Sequence, residues 1–180
     1  MQSVKQWMIV LCLGMLLLSG CTIPGTGLPD DGPAVPVSED AAVSLEQKMA
    51  EAASVPGVTT VTMTQEEATS YLALRVSSQE VQLTEPQVYF RADGTVILRG
   101  KVSYEGQIQP MRVVARPTAT NGTLAVDITE GRIGPVPVPG PILDQLEGNL
   151  AEAILAGQQY ARLDEVSIAE GTLTLTGEQK

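Results

Sequence analysis

"VYFRADGTVILRGKVSYEGQIQPMRVVARPTATNGTLAVDI", residues 88–128, is a succession of β-prone segments broken at Asp93-Gly94, Glu105-Gly106 and Asn121-Gly122. Pairs of this kind supply the left-handed residues that a two-residue hairpin needs, so each break reads as a tight turn between antiparallel strands. The strands lie in "EVQLTEPQVYF", "TVILRGKVSY", "QIQPMRVVAR" and "TLAVDIT", and together they predict a meander. In the second, Val96, Leu98, Val102 and Tyr104 share one face while Arg99, Lys101 and Ser103 share the other. In the fourth, Leu124, Val126 and Ile128 oppose Ala125, Asp127 and Thr129. One face is apolar and one is wet, as in an antiparallel sheet covered on a single side. Leu83 and Val88 fall out of phase across Pro86, which predicts a bulge or bend in the first strand. Asn121-Gly122-Thr123 also matches a glycosylation sequon, but the hairpin turn explains it fully.

Working outward toward the N-terminus, "TQEEATSYL" opens a helix at Thr64 with a capping box and carries it to about Val76. "VTTVTM", Val58 to Met63, precedes it as a short strand. Before that, Ser38 caps a helix with Glu39 and Asp40 at the positive end of its dipole. Ala42, Leu45, Met49 and Ala52 fall on its apolar face, and Pro56-Gly57 stops it.

Toward the C-terminus, "IGPVPVPGPILDQLEGNL" (133–150) places prolines at 135, 137, 139 and 141. Backbone groups of alternate strand residues point the same way, so the first three prolines remove donors from one edge only, and Val136 and Val138 still pair on the other. The segment reads as a sheet edge that cannot recruit a further strand, or as polyproline coil beside the sheet. Gly140 and Pro141 then fit the cap and first turn of an amphipathic helix bearing Leu143, Leu146, Leu150 and Ile154 on one stripe, closed by Gly157. "VSIAEGTLTLTG" (166–177) echoes "VYFRADGTVILRG" (88–100) and predicts a second hairpin of the same design.

With 180 residues and 43% apolar content the chain suits one domain with a genuine core plus appendages. Its two cysteines, Cys12 and Cys21, both precede the domain, and it has no histidine. That composition rules out a disulfide framework in the body, histidine metal ligands and every Ser-His or Cys-His nucleophile. The first 21 residues read as an export signal: Lys5, an apolar run from Trp7 to Leu18, then Leu18-Ser19-Gly20-Cys21, which resembles the bacterial lipobox. Cys21 is the expected lipid attachment site and mature N-terminus, on the non-cytoplasmic side of a membrane in the cell envelope. Residues 22–38, with four prolines and three glycines, read as a tether spanning roughly 20–25 Å as a random coil. Residues 39–180 form the expected single α+β domain.

Cleavage at Cys21 leaves ten basic against 21 acidic side chains, a net charge of −11. Such a surface repels nucleic-acid phosphates and anionic head groups, so nucleic-acid binding is not expected, and membrane attachment falls to the lipid. Glu66-Glu67 reads as a helix-starting acid pair. A glycosidase is the least strained enzymatic reading, but the acids concentrate in turns and helix starts and the only tryptophan leaves with the signal.

The order "TQEEATSYL", Asp-Gly hairpins, "ARPTATNGTLAVDI", "GRIGPVPVPGPILDQL" and "VSIAEGTLTLTG" resembles the YpmS-like family of bacterial envelope proteins over residues 58–177, and more distantly the LmeA-like phospholipid-binding proteins. The resemblance implies an α+β fold of the tubular lipid-binding type, a long curved antiparallel sheet wrapped around two or three amphipathic helices, with no catalytic residue, metal or cofactor. It also implies a lipid ligand in an apolar groove, for which the candidate lining is Leu143, Leu146, Leu150, Ile154, Val96, Leu98, Leu124, Val126 and Ile128. The mature chain holds only Tyr71, Tyr89, Phe90, Tyr104 and Tyr160 as aromatics, so the walls are aliphatic, which suits acyl chains and equally an ordinary core. The alternative expectation is a non-enzymatic structural or interaction module of an envelope complex with a filled interior.

Overall fold

The computed structural model describes residues 28–76, 83–104, 106–141, 143, 147 and 160–179. The signal, Cys21, residues 22–27 of the tether, and Leu146, Leu150 and Ile154 lie outside the described residues. Among the described residues the fold is α+β, with helices at 39–54 and 65–74, a helical segment from Gly140, and two antiparallel sheets of three and five strands.

Helix α1 (Glu39–Ser54) starts where Ser38 accepts a hydrogen bond from the Ala41 N–H, and it buries Ala42, Leu45, Met49 and Ala52, the expected stripe. After Gly57, strand β1 (Val58–Thr64) leads directly into helix α2 (Gln65–Leu74) through the expected capping box of Thr64 and Glu67. Strands β2 (Thr84–Phe90), β3 (Val96–Tyr104), β4 (Gln107–Thr120), β5 (Thr123–Ile133) and β6 (Val136–Pro137) then form the meander in chain order. Asn121 and Gly122 take φ of 53° and 80°, the paired left-handed geometry that the Asn-Gly signal requires. The irregularity expected around Pro86 is present as a register shift between Thr84 and Gln87, with Glu85 at φ 51°. The proline-rich stretch forms the two-residue edge strand β6, on β5.

The tail forms strands β7 (Tyr160–Ala169) and β8 (Thr172–Gln179), but this hairpin does not extend the meander. It pairs instead with β1, in the order β1-β8-β7, so the described strands form two sheets where one long sheet was expected. Periodicity marks a strand without naming its neighbour, and β1 meets β8 only after more than a hundred intervening residues. The two similar hairpins meet at their turns: Gly171 N–H donates to the Phe90 carbonyl, and Glu170 pairs with Arg91 and accepts from the Ala92 N–H.

Two interior clusters result. One lies where α1, α2 and the small sheet close on the start of the meander: Leu45, Met49, Met63, Val88, Phe90, Val96, Leu163, Leu173 and Leu175. The second, Val102, Met111, Val113, Ala115, Val126 and Ile128, belongs to the inner face of β3–β5. Leu98 and Leu124 touch both.

The outer face of the large sheet is not uniformly wet. Tyr89 and Ile97 are buried there beneath Val35, with Val114 alongside. Residues 31–38, expected as the end of a free tether, run across this face as a strap. Asp31 is the clamp: its carboxylate accepts from Arg112 Nε and a terminal nitrogen at 2.8 and 2.9 Å, and both side chains are more than nine-tenths buried. Farther along, Tyr89 donates its hydroxyl to the Pro33 carbonyl, the Gln87 amide bonds both backbone groups of Val35, and Ser38 N–H donates to Ser70. Proline and glycine deny this segment helix and strand, but they do not prevent docking through side chains of the sheet.

Candidate functional site

The candidate groove lies on the inner face of β3–β5. Alternation aims Leu98 and Val102 from β3, Met111, Val113 and Ala115 from β4, and Leu124, Val126 and Ile128 from β5 to this side. A bulge on β5 keeps that face apolar: Ala115 pairs with Ile128 and Val114 with Glu130, so Thr129 is the extra residue and Gly131 and Ile133 return inward. Around the buried cluster stand Leu83, Leu98, Leu124, Ile133 and Leu143, each only partly buried.

The chain reaches this face by a short route. The Val138 N–H donates to the Gly131 carbonyl, and the chain is helical from Gly140, with Leu143 N–H donating to Pro139. Leu143 is half-buried over Gly131, so close that a Cβ at 131 would stand 2.5 Å from Leu143 Cδ2. A side chain at 131 would push the Leu143 tip aside and crowd Val138 Cβ at 3.3 Å. One turn later Glu147 accepts from the Ile128 N–H at 3.0 Å, satisfying a donor on the side of β5 that the short β6 leaves uncovered. The helical segment thus begins in contact with the edge of the sheet.

Of the expected lining, the structure brings Leu98, Leu124, Val126, Ile128 and Leu143 together. Val96 belongs to the other cluster, packed with Leu45 and Leu173. Sequence reading does not include Leu83, Val102, Met111, Val113, Ala115 or Ile133 in the lining; alternation across the β3–β4 hairpin places Val102, Met111, Val113 and Ala115 there, Leu83 reaches it from ahead of β2 by packing over Gly100, and counting the Thr129 bulge is needed to place Ile133.

Polar chemistry sits elsewhere. Glu67 is buried between the helices, where burial pushes its pKa up but Lys48, Ser44 and the Thr64 N–H together hold the carboxyl below the usual range. Thr69, fully buried, accepts from the Val88 N–H at 2.9 Å and closes that edge of the large sheet against α2. Burial opposes the charge on Arg112, but the Asp31 hydrogen bonds outweigh it and raise the guanidinium's pKa. These are structural uses of charge: each group is joined to a partner of opposite sign or to a backbone group. Among the described residues no cluster of His, Cys, Asp and Glu has the makings of a metal site, and no helix is long and apolar enough to cross a membrane.

No protein-family model, curated protein or solved structure matches the chain.

Proposed function

We propose that the protein is a lipid-anchored protein of the cell envelope whose large sheet holds an apolar, lipid-like guest on its inner face, in the manner of the tubular lipid-binding type. The observation that carries this reading is the incomplete cover of that face: five aliphatic side chains, Leu83, Leu98, Leu124, Ile133 and Leu143, stay partly exposed around a buried aliphatic cluster. A hydrocarbon tail completes such a surface at about 25 cal/mol for each Å² of apolar area removed from water. The inner face offers it aliphatic walls, with the Glu147 carboxylate at one edge already occupied by the Ile128 N–H. Lipid on Cys21 supplies the membrane attachment, and two or more acyl chains there hold a protein stably.

A second reading, a structural module with a filled interior, draws on the close approach of Leu143 to Gly131, where sheet and helical segment leave no gap. Native mass spectrometry of the full-length protein extracted from its membrane separates the two. A guest-carrying protein shows a non-covalent lipid mass that exchanges with added lipid; a protein carrying only its covalent anchor favours the structural module.

A further inference from the structure

We infer that the outer face of the five-stranded sheet, where the strap lies, is the surface that faces the membrane, and that its partner is the polar surface of the bilayer. The inference rests on the lipid-anchor reading above and goes beyond it by assigning an orientation. Two independent observations carry it: where the anchoring segment enters the fold, and how charge is distributed over the faces.

The first is a matter of length. Had residues 22–38 all been free, the domain would have hung from the membrane in any attitude. The strap removes the second half of that leash. With Asp31 clamped on Arg112 and its carbonyl held by Arg91, ten residue steps separate Cys21 from the clamp. Ten residues reach about 33–36 Å when fully extended, and roughly 16–19 Å as a random coil. The clamp sits mid-face: Arg112 pairs with Arg99 of β3 on one side and with Arg132 of β5 on the other. The outer face of the small sheet points the opposite way, because the inner faces of the two sheets share one core through Val88, Phe90, Leu173 and Leu175. To bring that side to the bilayer, the short leash would have to pass around the sheet edge as well.

The second observation is charge. Arg91, Arg99, Lys101, Arg112, Arg116 and Arg132 all stand on the outer face or its rim, six of the 11 basic side chains of the chain. They are met there by Asp30, Asp31, Glu85, Asp93, Asp127, Glu130 and, at the rim beside Arg91, Glu170. This face is therefore close to neutral in a chain of net charge −10. Among the described residues the rest of the domain holds ten acidic side chains against Lys48, Arg75 and Arg162, so its other surfaces are repelled by anionic head groups within a Debye length, about 8–10 Å at ordinary salt. The strap face can lie against them. Net charge alone hid this asymmetry, since it averages a balanced face with acidic ones.

The test uses the full-length lipidated protein in vesicles of phosphatidylethanolamine and phosphatidylglycerol doped with a head-group nitroxide lipid. Cys12 leaves with the signal and Cys21 carries lipid, so a single introduced cysteine is the only free thiol to label. A fluorophore is placed on the strap face by Thr118→Cys, or on the opposite face by Ser167→Cys; both positions are exposed. The expected result is loss of most emission at 118 with little loss at 167. Equal quenching, or stronger quenching at 167, on protein whose Cys21 lipid is verified by mass overturns the orientation alone. A protein with no lipid on Cys21 overturns the anchor reading and the orientation with it.

Discussion

Arg112→Met removes the clamp and leaves Asp31 as a buried carboxylate facing only the more distant Arg99, 3.7 Å away. Breaking one side of a buried ion pair costs roughly 3–5 kcal/mol when the surviving charge stays buried. Here the charge has an escape. Ordering the eight residues 31–38 costs on the order of 8–16 kcal/mol of backbone entropy at 1–2 kcal/mol each, reduced by Pro33 and Pro36. Burying Val35 returns about 1.5–3 kcal/mol. The four hydrogen bonds from Gln87, Tyr89 and Ser70 return about 1 kcal/mol each. Without the clamp these terms do not hold the strap, so it detaches and Asp31 regains water. The global loss is then capped at the few kcal/mol that docking contributes, and the signature is local. Hydrogen exchange at the Val35 amide, bonded to Gln87 in the native protein, should rise to the rate of an open amide in Arg112→Met, while amides of Val113 and Leu175 keep their protection. Limited proteolysis should cut within 31–38. If the Val35 amide stays protected in the variant, the ion pair is not what holds the strap and the reasoning fails.

Other consequences follow from single contacts. Because Glu67's pKa is depressed in the fold, its stabilising contribution is complete above about 4.5, the ordinary carboxyl value, and is lost as pH falls through the lower folded value; Glu67→Gln should flatten the acid limb of a stability–pH curve measured by denaturant titration. Thr69→Val leaves the Val88 N–H buried without its acceptor and should cost about 1–3 kcal/mol in the same assay. Gly122→Ala forces a side chain into φ +80° and within 3.0 Å of Arg162 Cγ, for a loss of about 1–2 kcal/mol read from the thermal midpoint. Leu124→Glu sets a carboxylate on the rim of the inner face and should lower retained lipid by about 10-fold or more with little change in fold, judged by native mass spectrometry beside circular dichroism.

Much of the architecture is written locally. Alternation and the Asp-Gly and Asn-Gly pairs specify β2–β5, the Thr64–Glu67 box starts α2, and the staggered prolines mark β6 as an edge. What escaped sequence reading is what depends on distant partners. The tail hairpin pairs with β1, a choice that neither segment encodes alone. The start of β7 at Tyr160 was obscured because two register shifts, between Tyr160 and Arg162 and between Leu163 and Glu165, break its alternation. The strap was obscured because composition reports what a backbone cannot form, while its docking depends on Arg112, which sits 81 residues away from Asp31. At the candidate site, Leu98, Leu124, Val126, Ile128 and Leu143 were legible from periodicity. Val96 lies on the apolar face of β3, as alternation expects, but that face is shared by two clusters, and only the packing of α1 and β8 decides to which one it belongs.

The proposal that the inner face receives a guest is tested most directly by an experimental density map of the protein purified from its own membrane, read in the space above Val126 and Ile128 and beneath the helical segment that begins at Gly140. Continuous, elongated density there that belongs to no side chain is the predicted result. Contact between the two layers along the whole segment, as tight as that of Leu143 on Gly131, would contradict it.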